Sequence, residues 1–189
     1  MKAFAHRRGP GICAVAGFAL VALAAAAPTA RADAIDDALL ERGRAMMKYL
    51  RNKDNKDVKN VGVLKFQVQV RDGKPRMEVG RLNSLMETRL ENVLILANED
   101  DKRVIGVTRG ASQAAAARDK NATYLTAEGL AKLFAQEYPL AWGKEKVKVD
   151  RFLTGIVQTS PDLKQTTVII HAYRPGRAEP QEVTRFTVA

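Results

Sequence analysis

Thiols and imidazoles are almost missing from this chain. It holds one cysteine, Cys13, and two histidines, His6 and His171, in 189 residues. A single thiol closes no internal disulfide, and zinc centres draw on sets of Cys and His that are not here. Cys–His and Ser–His–Asp nucleophilic systems depend on the same scarce residue types. No P-loop, G-x-G-x-x-G or G-x-S-x-G run occurs. Aromatic residues make up 6% of the chain, with Trp142 its only tryptophan. The longest apolar run, Gly11 to Ala27, stops short of the ~20 residues that a membrane-spanning helix needs. These absences leave no motif that asks for an enzyme and none that asks for a cofactor or a metal.

That apolar run has its own meaning. Lys2, Arg7 and Arg8 precede it, Pro28 breaks it, and Ala30-Arg31-Ala32 follows with a small-x-small pattern. A positive start, an apolar middle and a small-residue junction make a secretory signal peptide, residues 1–32, with cleavage expected after Ala32. An uncleaved anchor and a twin-arginine leader built on Arg7-Arg8 are the alternatives. Cys13 lies inside the apolar run, not at a junction where it could be acylated. The expected location is periplasmic or secreted, with no transmembrane span after cleavage. Lys2, Arg7, Arg8 and Arg31 leave with the leader, so 31 basic residues become 27 against 21 acidic ones. The net charge falls from +10 to +6, and the 157 residues that remain hold His171 and no cysteine. That is one domain's worth of chain, read as an N-terminal helix and polar connector (residues 33–59) and a single α/β domain (residues 60–189).

The most informative stretch runs from Asn60 to Thr108. Leu64, Phe66, Val68 and Val70 recur at period two, one face of a strand, with Val61 and Val63 on the other face. Asp72-Gly73 and Pro75 mark a turn. Val79, Leu82, Leu85, Met86, Leu90, Val93 and Leu94 then recur at helical spacing, with Arg81, Glu87, Arg89 and Glu91 off the stripe. Val104 to Val107 reads as a short buried strand. Strand, crossover helix and strand predict a parallel βαβ unit.

Elsewhere, Asp33 to Leu50 reads as a helix capped by Asp33, with Ile35, Leu39, Met46 and Leu50 on a patchy apolar side. Asn52 to Asp57 is polar, and it lacks the glycine and final glutamate of a calcium loop. Gly110 to Asp119 is alanine-rich and helical or ragged. Thr126 is placed to cap a helix carrying Leu130, Leu133, Phe134 and Tyr138, with Pro139 as its stop. Phe152–Gln158, Thr166–Tyr173 and Val183–Val188, separated by Ser160-Pro-Asp162 and Pro175-Gly176, read as a three-stranded antiparallel meander. The expected fold class is α/β (α+β): a mixed sheet made of a βαβ unit and this meander, with helices packed on it.

Four positions have competing readings. Lys144, Lys146, Lys148 and Arg151 form the densest basic run, a candidate anion-binding site; the competing reading is the solvated outer face of a strand, since Val147 and Val149 alternate with the charges. Trp142 is read as a core plug in preference to a membrane or sugar platform. His171, alone in Val168-Ile-Ile-His-Ala-Tyr173, is read as structural. The acidic triplet Glu99-Asp100-Asp101 is read as a polar loop, not a catalytic carboxylate pair.

The order helix, strand, helix, strand, helix, meander resembles the periplasmic α/β domain of the TolB amino-terminal, CsgG and LpoB type. The likeness rests on Val61-Gly-Val-Leu-Lys-Phe66, on Gly80 with Leu85 and Leu90, on Val104-Ile-Gly-Val-Thr-Arg109 and on Phe152-Leu-Thr-Gly-Ile-Val157. It covers residues 60–189. Two departures are the missing lipid-attachment cysteine and a long Gly110–Asp150 segment. The resemblance implies docking to another protein of the cell envelope, with no catalytic residues to carry over. The expectation is therefore a non-enzymatic exported docking or accessory domain. It would bind through an exposed meander edge and the apolar remainder of the first helix. The alternatives are a basic-surface binder of anionic envelope polymer or lipid, and an enzyme whose site would converge on His171. Nucleic acid is not an expected partner.

Overall fold

The computed structural model describes residues 30–98 and 102–189, with side chains from Ala34 onward. The leader's charged start and apolar run lie outside the described residues, and so does the triplet Glu99-Asp100-Asp101. The elements in order are α1 (Ala30–Arg51), β1 (Asn60–Val63), β2 (Gln67–Val70), α2 (Leu82–Leu96), β3 (Gly106–Val107) and α3 (Ala111–Arg118). Then come α4 (Ala127–Ala135), β4 (Glu137–Pro139), β5 (Lys146–Lys148), β6 (Arg151–Thr159), β7 (Thr166–Arg174) and β8 (Arg177–Val188). The main sheet is mixed, in the order β3-β1-β6-β7-β8, with β2 also paired to β6. β4 and β5 form a separate two-stranded sheet.

The βαβ unit is present: β1 runs parallel to β3, with Asn60 opposite Gly106, and α2 lies between them in sequence. β1 is parallel to β6 as well. The meander is also as expected, although its last strand starts six residues early. Pro175-Gly176, with Gly176 at φ +73, closes β7 onto β8 so tightly that Arg174 pairs with Arg177.

The first strand departs from its expected alternation. Val63 lies opposite Leu153 and Gln67 opposite Ile156, so four steps on one strand match three on the other. The extra residue is a bulge, and a bulge inverts side-chain parity. Val61, Val63, Phe66 and Val68 therefore share one face, while Leu64 drops into the cluster on the other. The backbone groups that the bulge takes out of the ladder are bound elsewhere. Lys65 O accepts from Thr154 Oγ1 at 2.7 Å and from Tyr124 OH at 2.9 Å. Lys65 N–H donates to Ser112 Oγ at 2.7 Å, and Phe66 N–H donates to Asn83 O at 3.2 Å.

Two apolar clusters sandwich the sheet. The larger unites α1 and α2 with one face, through Leu39, Met46, Met47, Leu50, Met86, Leu90 and Leu94. The smaller sits under α3 and α4, around Phe152 and Tyr173. α4 begins as expected, with Thr126 Oγ1 accepting from Gly129 N–H at 3.1 Å. It ends at Ala135, before Pro139, because the chain turns extended at Gln136. Tyr138 is thus a β4 residue; it is fully buried and edge-on to Phe152, with centroids 5.4 Å apart. Asp33 is not a cap either, since α1 already runs from Ala30.

Candidate functional site

The two edges of the main sheet are treated differently by the chain. β3 is short, and the segment Pro139–Ala141 lies along it. Ala141 N–H donates to Val107 O at 2.8 Å, Arg109 N–H donates to Pro139 O at 3.0 Å, and Thr108 bridges to Leu140. That edge is covered. β8 lies at the other end, and among the described residues no strand pairs with its outer side. Its first half carries Arg177, Glu179, Pro180 and Glu182, the residues that edge strands use against promiscuous pairing. Its second half, Thr184-Arg-Phe-Thr-Val188, carries one charge. There the strand is anchored from inside, with Phe186 buried and the Arg42 guanidinium 4.8 Å from its ring centre.

The first helix offers little for docking. Ile35, Leu39, Met46, Met47 and Leu50 are all spent in the core, and of its large apolar residues only Leu40 is exposed, at 48%. The reason is geometric: α1 packs against both α2 and β8, so its apolar side has no free surface to offer.

The basic run divides. Lys146 and Lys148 lie on β5 with exposed side chains, and Lys144 is exposed in the loop that joins β4 to β5. Arg151 belongs to β6. Its guanidinium donates to Asp150 O at 2.7 Å and to Asn55 Oδ1 at 3.2 Å. Burial, reinforced by Arg174, holds its pKa below the usual arginine value. The lysines share the hairpin, and Arg151 does not join them. Trp142, expected in the core, is 42% exposed in the same loop. The aromatic contacts in the core beneath α4 are made instead by Phe134 and Tyr138, both packed on Phe152.

His171 is half-buried on β7, opposite Thr154 and Glu182. Burial lowers its pKa, with Glu182 opposing the shift and Arg185 adding to it. It lines neither an apolar cleft of about 560 Å³ between α4 and the β7–β8 turn nor one of about 520 Å³ beside the end of α1. Among the described residues no three His, Cys, Asp or Glu side chains are grouped to hold a metal.

The polar residues of α2 do something the apolar stripe did not announce. Asn83, Glu87 and Glu91 stand four apart and are buried, the two glutamates at 4% and 2% exposure, while Leu85 on the expected stripe is 44% exposed. Each carboxylate accepts a backbone N–H near the start of α3: Glu87 from Ser112 at 3.0 Å and Glu91 from Gly110 at 2.8 Å. Charge at a helix N-terminus is favourable, but burial outweighs it. Burial pushes Glu91 up to about 7, with the neighbouring Glu87 also raising it, and burial likewise raises Glu87. The only sequence signal for this seam was the four-residue spacing itself.

A pH dependence follows. The folded state holds the Glu91 proton more tightly than an unfolded carboxyl of 4.5 does. Its contribution to stability is therefore fully present below pH 4.5 and is lost as pH rises to about 7. Glu91→Gln keeps an acceptor for Gly110 N–H and removes the titration. The variant should be more stable than the parent at pH 8, by on the order of 1–3 kcal/mol, and lose that advantage by pH 4.5. Urea unfolding of both proteins across this range tests it, and a parent–variant difference that does not change with pH would contradict it.

Among the described residues, no helix is long and apolar enough to cross a membrane. No protein-family model and no curated protein matches the chain. Among solved structures, the LpoB C-terminal domain from Salmonella enterica is similar over 77% of this chain and 93% of its own, with a TM-score of 0.49 and 9% sequence identity.

Proposed function

We propose that this chain is an exported, non-catalytic docking domain that binds another envelope protein by adding one of that protein's strands to the outer edge of β8. Export rests on the three-part leader at residues 1–32. The docking mode rests on one observation above all: the chain covers the β3 edge with Pro139–Ala141, and among the described residues nothing pairs with the β8 edge. Unpaired N–H and C=O groups on a strand edge supply main-chain affinity, and the side chains between them supply selectivity. The segment Thr184–Val188 is the favoured stretch, because the charges and Pro180 protect the rest.

A photo-crosslinker at Arg185 should give one defined adduct in envelope extract, whereas one at Val104, beside the covered edge, should give none. Prolines placed singly at Thr184, Arg185 and Thr187 then identify outward N–H groups, as those that can be lost without a change in thermal unfolding. At such a position the adduct should disappear. Equal adducts from both edges, or adducts indifferent to every tolerated proline, would refute strand addition.

A second reading is a binder of anionic envelope polymer or lipid through Lys144, Lys146 and Lys148, without Arg151, whose guanidinium is bound to Asp150 and Asn55. It is favoured by the exposure of the three lysines together with Trp142 on one hairpin.

A further inference from the structure

The β4–β5 hairpin has a closed side and an open side. On the closed side Tyr138 is fully buried and donates to Leu133 O at 2.8 Å, and Val147, its cross-strand partner, is half-buried. On the open side Glu137 pairs with Lys148 and Pro139 with Lys146, all of them exposed. Arg118 reaches this rim from α3 and donates to Glu137 O at 2.8 Å. The connecting loop carries Trp142, Lys144 and Glu145 in the open, turned by Gly143 at φ +81. The hairpin thus exposes Trp142 in its loop together with Lys144, Lys146 and Lys148, set against Glu137 and Glu145, with Arg118 at the end away from the loop.

A large aromatic ring left 42% exposed on a hairpin that carries three exposed lysines is poorly suited to a soluble polyanion, which would use the cations and ignore the ring. It suits a bilayer interface, where an indole enters the headgroup layer and lysines meet phosphates. We infer that the β4–β5 hairpin seats the domain on an anionic phospholipid surface, with Trp142 entering the headgroup layer and Lys144, Lys146 and Lys148 facing lipid phosphates. This inference rests on the anion-binding reading of those lysines and narrows it to one occupant. The placement also fits the docking reading: the hairpin adjoins the β3 edge through Leu140 and Thr108, so a domain seated there keeps β8 free for a partner.

Trp142 is the only tryptophan, so its emission reports on this loop alone. The leaderless chain would be titrated with vesicles of phosphatidylglycerol and phosphatidylcholine, with pure phosphatidylcholine vesicles, and with soluble polyphosphate. With the anionic vesicles alone, the emission should shift to the blue and be quenched by brominated acyl chains, and the shift should be reversed by raised salt. Replacing Lys144, Lys146 and Lys148 together by glutamine should weaken vesicle binding by about a hundredfold, roughly a factor of five per lysine. Trp142→Ala should weaken vesicle sedimentation and leave polyphosphate binding unchanged. All four side chains are exposed, and circular dichroism checks that the variants fold. Polyphosphate binding without vesicle binding would overturn the membrane inference and keep the anion-binding reading. Binding to none of the three would overturn both. Equal binding to neutral vesicles would overturn the phosphate role of the lysines.

Discussion

Gly155→Ala should cost about 3 kcal/mol or more, a large share of the 5–15 kcal/mol that holds a typical domain together. Gly155 sits in the middle of β6, where a Cβ would lie 2.6 Å from Phe66 Cε1 and 2.1 Å from Ile169 O. The ring could tilt, but the carbonyl belongs to the neighbouring strand β7. Relief at that atom requires β6 and β7 to move apart in the centre of the sheet, where Gly155 pairs with Ile170. The two contacts can be separated. Phe66→Leu removes the ring contact and leaves the carbonyl, so in that background Gly155→Ala should still cost most of what it costs in the parent. Urea unfolding of the four proteins gives each term. A loss below about 1 kcal/mol for Gly155→Ala would show that the sheet gives way more easily than its spacing implies.

The Thr154-Gly155 step was visible in the sequence as a glycine within a β-rich run, whereas its partner was not. Phe66 reaches Gly155 only because the bulge at Leu64–Phe66 inverts the parity of the strand. No alternation pattern reveals an inversion whose cause lies in Ser112, Tyr124 and Thr154, far along the chain. The same division runs through the rest of the fold. The βαβ unit and the meander were legible because a change of period, or a turn dipeptide, is a local signal. Glu87 and Glu91 lie off the apolar stripe, and their burial was not legible, because what makes it tolerable is the pair of amides at Gly110 and Ser112, some twenty residues later. Trp142 was misplaced for a related reason. Tryptophan is buried on average, but Phe134 and Tyr138 already occupy the ring contacts around Phe152.

The functional surfaces were only half legible. The lysines of the hairpin could be read from their density, but the separation of Arg151 could not. It depends on where β5 ends and β6 begins, a boundary placed by Asp150. That carboxylate accepts from both Lys59 and Asn60 N–H, and so fixes the start of β1 beside β6. The open meander edge was expected. The covering of the opposite edge was not, and it is the contrast between the two that gives the β8 edge its meaning.

Asn83→Ala should destabilise the domain by about 3 kcal/mol, far more than a helix-surface change of the same size. The side chain is 2% exposed and serves three backbone groups at once. Its Oδ1 accepts from Val79 N–H at 2.9 Å, and its Nδ2 donates to Phe66 O at 2.7 Å and to Arg76 O at 3.1 Å. One residue thereby ties the bulge to the excursion that follows β2. That excursion folds back where Val68 and Arg76 exchange two hydrogen bonds at 2.8 and 2.9 Å. Alanine keeps the helix and removes all three ties, leaving Phe66 O without the amide that binds it inside the core. The neighbouring Ser84→Ala, whose hydroxyl is bound only to Arg81 O at 3.2 Å, should change stability by less than about 0.5 kcal/mol and serves as the control. The loss in Asn83→Ala should also be local before it is global. Trypsin should cut after Arg71 or Arg76 under conditions where the parent is resistant, because the segment can then open without unfolding the sheet. Equal stability of the two variants, or unchanged cleavage in this segment, would mean that the bulge and the excursion are held by the ladder alone and that Asn83 merely occupies the space.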